Sequence, residues 1–192
     1  MYKRGLLSTL LFIGVVGATV TTEAFTLAPF NVEQMAGQAE KIFAGSCIAV
    51  EENINERGLS ILTVTFAVHD ALKGNVGETV TFRQLNPIQP PPPRPEIGGL
   101  WAAIPTFGLP SYTKGEEAIL FLQKEGRTGL TSPLGFQQGK LPVALATDGS
   151  KTVTNMALLA ESSSTLAIPP VGKTGDYRQF VTAVRTLVQQ SK

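Results

Sequence analysis

Residues 60–74 read SILTVTFAVHDALKG. Leu62, Val64, Phe66, Val68 and Leu72 share one parity; Thr63, Thr65, His69 and Lys73 share the other, with Ile61 and Ala67 as apolar intruders. Side chains alternate across a strand with period two, so the pattern predicts a long strand with one buried face. Its β-branched and aromatic content suits a pleated surface better than a helix. Gly74 ends it.

Working upstream, Ile42–Val50 is a nearly continuous run of small and apolar residues, expected as a strand buried on both faces. Glu51–Gly58, EENINERG, is polar and turn-like, so the two runs are expected to pair as a hairpin. Asn31 followed by Val32, Met35, Ala36 and Ala39 predicts a short helix, with Asn31 as N-cap and Gln34 closing a capping box. Before it lies an address-like segment. Lys3 and Arg4 precede an uncharged apolar run of about 16 residues, Gly5–Val20, short of the roughly 20 a spanning helix needs. Thr22-Glu23-Ala24 then places small residues where a signal peptidase reads, so the expectation is a signal peptide over 1–24, cut between Ala24 and Phe25. The expected localisation is exported, periplasmic or extracellular, with the membrane touched only by the leader before cleavage.

Downstream, Glu78–Leu85 is another alternating strand. Asn86–Gly115 is a long Pro-rich loop containing the run Pro90–Pro93, which cannot donate ladder hydrogen bonds. Loops of this length in small domains are usually functional or disordered. Glu116–Gln123 is a core strand; Leu141, Val143 and Leu145 alternate; Asp148-Gly149 is a hairpin signal into Lys151–Val153. Ser162–Pro170 reads as a linker. In Asp176–Gln190, Tyr177, Phe180, Val181, Val184, Leu187 and Val188 follow helical spacing and give one apolar stripe. Six or seven strands without disulfides must manage their edges. The expected fold is mainly β, a single domain over 25–192: a small closed or partly open β-barrel with a short N-terminal and a C-terminal amphipathic helix, a sandwich being the alternative.

Ala39–Gly45 followed by Thr63–Gly74, then Ile104-Pro105, Gly108–Pro110, Gly115–Glu117, Leu120–Leu122 and Gln138–Lys140, resemble in order and spacing a group of exported bacterial proteins of unassigned function with an OB-like barrel. The eukaryotic counterpart of that barrel is the netrin-like module of the tissue inhibitors of metalloproteinases. The resemblance implies a fold and a compartment, with little chemistry; the partner expected of a binding protein in that compartment is a secreted protein such as a protease or another envelope protein. Those inhibitors place an N-terminal Cys on the protease zinc. Here the expected terminus is Phe25 and their paired cysteines are absent, so that mechanism does not carry over.

Removing the leader leaves 14 basic and 14 acidic residues of the 16 and 15 in the full chain, a balance that argues against a nucleic-acid surface. One His, His69, and one Cys, Cys47, fall short of a metal-ligand set, so no metal and no cofactor are expected. Cys47 reads as a small buried hydrophobe. A Ser–His nucleophile would have His69 as its only base, and a Cys47–His69 pair would need adjacent strands. Glu51-Glu52 and Glu116-Glu117 are neighbours that point to opposite faces of a strand. Gly172-Lys173-Thr174 lacks the rest of a phosphate loop, because Ala167 stands where a Gly is needed; its expected role is to start the last helix. What remains is Arg94, Trp101, Phe107 and Tyr112 in the long loop, the material of a binding face, the alternative being that Trp101 and Phe107 cap an open end of the barrel as core. The expected function is an exported, non-enzymatic binding or accessory protein. The alternatives are a hydrolase of envelope polymers with dispersed carboxylates and a purely structural envelope protein.

Overall fold

A computed structural model describes residues 28–56, 58–88, 108–158 and 166–191. Seven antiparallel strands form one sheet: β1 (Lys41–Ile54), β2 (Ser60–Lys73), β3 (Thr79–Leu85), β4 (Glu117–Leu122), β5 (Lys140–Leu145), β6 (Lys151–Thr154) and β7 (Thr174–Asp176). Their spatial order is β3-β2-β1-β4-β5-β6-β7. Two helices, α1 (Val32–Gln38) and α2 (Tyr177–Gln190), complete the fold, and a 3₁₀ turn (Phe136–Gly139) leads into β5.

The sheet is not closed into a barrel; β3 and β7 are its edges. The chain leaves β3 and returns as β4 against β1, and among the described residues no strand ladders onto the outer side of β3. One hydrogen bond, Thr131 N to Arg83 O at 2.8 Å, joins that edge to the loop after β4.

Both faces of the central strands are buried, as the continuous apolar runs require. Ile42, Ala44, Ile119 and Phe121 pack under α1 and α2, with Leu141, Val153, Phe180, Val184 and Leu187. Phe43, Cys47, Leu120 and Leu122 face the other way and pack with Leu62, Val64, Phe66, Val80 and Phe82.

The alternation of β2 does not run unbroken. Ala44 pairs with Asp70 but Gly45 with Val68, leaving His69 unopposed on β1. This bulge switches the faces: Phe66 belongs to one core and Leu72 to the other. β1 continues through Glu51–Ile54, where the polar composition predicts a turn, because pairing with Ser60–Thr63 satisfies its backbone whatever the side chains are. Gly172-Lys173-Thr174 leads into β7 rather than directly into the helix, since Asn155 N donates to Lys173 O and Gly172 N to Asn155 O.

Asn31 caps α1 reciprocally with Gln34, at 2.7 and 3.1 Å. Lys73 Nζ donates to the carbonyls of Ala36 and Gly37 at the other end of that helix, at 2.8 and 2.7 Å. Asp176 Oδ1 accepts from Gln179 N at 2.8 Å and caps α2. Among the described residues no helix is long and apolar enough to cross a membrane.

Candidate functional site

Of the residues singled out from sequence, Arg94, Trp101, Phe107, Ala24 and Phe25 lie outside the described residues. Tyr112 is described, and it points inward. Its ring is 8% exposed. It meets Phe66 and Phe82 edge-on, with centroids 5.9 and 5.5 Å away. Tyr112 is therefore an interior side chain and not part of an exposed aromatic face. The reason is local: Val80 and Phe82 turn into the core from β3, and the chain leading into β4 packs its ring among them.

The residues flanking segment 89–107 on either side, its two feet, are held by polar groups, of which Ser60, Gln84 and Asn86 are buried. At the first foot, Asn86 Nδ2 donates to Glu52 Oε1 at 2.9 Å and to Ser60 Oγ at 3.0 Å. Ser60 Oγ donates to the same carboxylate. Asn86 Oδ1 accepts from Ile88 N at 3.0 Å, an Asx turn that sets the exit direction. At the second foot, Gln84, 1% exposed, donates from Nε2 to Pro110 O at 2.7 Å. Gln137 N donates to Gly108 O at 3.0 Å. Lys140 Nζ donates to Ser111 O at 2.6 Å, pairs with Glu116 at 2.7 Å, and sits 4.5 Å from the Tyr112 ring centroid.

Two atoms of this foot are exceptions to the satisfied interior. Among the described residues, Gln84 Oε1 and the Tyr112 hydroxyl are buried with no hydrogen-bond partner. Burial, and next the nearby Glu116 carboxylate, hold the Tyr112 phenol well above the usual tyrosine range.

The reactive groups do not assemble as the Cys47–His69 idea required. Cys47 is 1% exposed on the Phe66 side of the sheet. Burial, and next Glu116, raise its thiol, so it is protonated at neutral pH. His69 instead meets Ser46, with Nε2 2.7 Å from Oγ. Ser46 and His69 are not register partners; the bulge brings them together, which no sequence spacing signals.

Beside them, Asp70 accepts from Tyr177 OH at 2.7 Å and from Arg185 at 2.8 Å. Burial, and next the Asp70 hydrogen bond, raise the Tyr177 phenol above its ordinary range. Glu116 and Glu117 go to separate lysines, Lys140 and Lys151, at 2.7 and 2.6 Å, and share no site. Among the described residues no three His, Cys, Asp or Glu gather in a way that could hold a metal ion.

Sequence reasoning missed Gln84 and Gln138. Gln138 is buried, accepts from Phe30 N at 2.8 Å and donates to Ala28 O at 3.0 Å, tying the start of the described chain to the 3₁₀ turn. A glutamine on an inward parity, as Gln84 is after Val80 and Phe82, was the available signal. No family model, curated protein or solved structure matches this chain.

Proposed function

We propose that this is an exported, non-enzymatic binding or accessory protein of the cell envelope or secretome. In this reading β1–β4 form a partly open OB-like barrel that carries Arg94, Trp101 and Phe107 as its partner-binding residues. The observation that supports it is the construction of the loop's feet. Gln84, Asn86, Ser60 and Glu52 are all committed to fixing the points where segment 89–107 leaves and rejoins the core. Binding residues are typically carried on loops held by a rigid scaffold, and fixed ends lower the ordering cost of binding. Tyr112 serves the second foot from the inside.

The experiment is capture from periplasmic and culture fractions on immobilised wild type and Trp101→Ala, with matched urea midpoints as the folding control. The expected result is a partner, such as a secreted protease, retained by wild type and lost by the variant. Equal recovery by both removes the loop as the binding face. N-terminal sequencing of the protein recovered outside the cytoplasm is expected to begin at Phe25; a terminus still at Met1 overturns cleavage after Ala24, and recovery only from the cytoplasm overturns the export reading.

A hydrolytic reading is favoured by one observation, the Ser46–His69 contact. A fluorophosphonate probe separates the two. No adduct at Ser46 is expected for a binding protein; an adduct abolished by His69→Ala makes it a serine hydrolase.

A further inference from the structure

We infer that the outer edge of β3 is a second binding surface, one that takes an extended polypeptide segment as an added strand. It lies along residues 79–82, toward the opposite end of β3 from Asn86 and short of Arg83, whose outward carbonyl accepts from Thr131 N.

The register fixes which backbone groups face outward. Asn86 N donates to Ser60 O, and Val68 N to Glu78 O. The hydrogen-bonded pairs between β2 and β3 are therefore the even ones, Leu62 with Gln84, Val64 with Phe82 and Phe66 with Val80. The odd residues Thr79, Thr81 and Arg83 turn their N–H and C=O groups away from β2. Among the described residues, only Arg83 O finds a partner there, Thr131 N. That single bond is one rung of a ladder whose other rungs are unfilled.

Beside these groups runs a cleft of about 240 Å³. Val80, Phe82 and Leu122 give it an apolar floor, and Lys41, Lys124 and Glu125 are among its charged lining residues. A free donor–acceptor row above an apolar floor is what strand addition uses: the backbone provides affinity and alternate side chains provide selectivity. The floor selects a segment that is apolar at every second position, and lining charges of both signs select no strong net charge.

The segment after β4 also chooses between occupants. Ladder pairing needs strand axes about 4.8 Å apart. Thr131 already sits beside the end of this edge, its N–H donating to Arg83 O at 2.8 Å, so an incoming strand must fit next to that segment. A single chain segment meets that constraint more readily than the sheet edge of a second folded copy.

The probe is a fluorescein-labelled peptide, acetyl-Lys-Val-Thr-Val-Thr-Val-Glu-amide, titrated against the full chain by anisotropy. Binding is expected, and methylation of every backbone nitrogen of the peptide is expected to abolish it. Thr81→Pro removes one outward N–H and no backbone hydrogen bond to β2; because it also removes the Thr81 Oγ1–Thr65 Oγ1 contact at 2.9 Å, Thr81→Val is the control and keeps peptide binding. Thr81→Pro is expected to weaken binding about tenfold, the loss of one backbone hydrogen bond. Amide exchange on the unmodified protein provides a reading that needs no variant: the peptide slows Thr79 and Thr81. Three results overturn the inference: no binding, equal binding of the methylated peptide, or protection of Thr79 and Thr81 that tracks protein concentration instead of peptide. The last makes the edge a contact between copies. Trp101→Ala leaves peptide binding unchanged, so this surface and the loop face fail separately.

Discussion

Tyr112 carries a hydroxyl into the core and leaves it unpartnered. Removing such a group removes a desolvation cost and no hydrogen bond. Tyr112→Phe is expected to stabilise the protein by about 1 kcal/mol in urea denaturation at neutral pH. The same residue sets an alkaline limit. An unfolded tyrosine ionises near pH 10, whereas the folded Tyr112 holds its proton to higher pH. Above about pH 10 the unfolded state binds fewer protons, so stability falls as pH rises, by about 1.4 kcal/mol per unit from this residue, until the folded phenol itself ionises. Tyr177, also raised, acts with the same sign. Urea midpoints from pH 8 to 11 should fall less steeply for Tyr112→Phe than for wild type. Phe66, fully buried between Phe43, Phe82 and Tyr112, is the opposite case. Phe66→Ala is expected to cost about 3–5 kcal/mol. A loss under about 1 kcal/mol would mean the core can close over the missing ring.

At the scale of elements, the β1–β2 bulge and the docking of α2 set the geometry around His69. Gly45 lies beside the bulge, and a Cβ there would stand 2.3 Å from the Ala67 carbonyl oxygen, a backbone atom that cannot swing aside. Gly45→Ala is expected to cost about 2–3 kcal/mol, as overpacking does, and to separate Ser46 from His69, seen as a change in the His69 ring resonances. α2 is tied across the sheet by Asp70, which holds Tyr177 and Arg185 two turns apart on one helix face. Asp70→Ala leaves the half-buried Tyr177 hydroxyl without its acceptor. A loss of about 1–2 kcal/mol is expected, more than an exposed ion pair alone contributes. An unchanged urea midpoint would show that α2 is held by its apolar stripe alone.

Across the whole molecule, β1 and β4 belong to both cores: Ile42 and Ile119 to the helix side, Phe43 and Leu120 to the other. Neither core can melt and leave these strands in place. Backbone circular dichroism and aromatic fluorescence should therefore report one coincident unfolding transition, shifted together by Phe66→Ala on one side and Phe121→Ala on the other. Two separated transitions would mean the sheet's two faces are energetically independent.

Local physics was legible in the chain. Alternation marked β2, β3 and β5, continuous apolar runs marked β1 and β4, and an apolar stripe with a capping carboxylate marks α2, because these patterns are properties of neighbouring residues. Three outcomes needed residues distant in sequence. His69 is extruded because of how β1 lies against β2; Tyr112 turns inward because Phe66 of β2 and Phe82 of β3 offer it an apolar site; and the sheet stays open because β4 returns to β1, so that among the described residues the far side of β3 is unladdered. Pattern says which side of a strand is apolar, but register and strand order are set by long-range packing, and a single extra residue in a ladder reassigns every face beyond it.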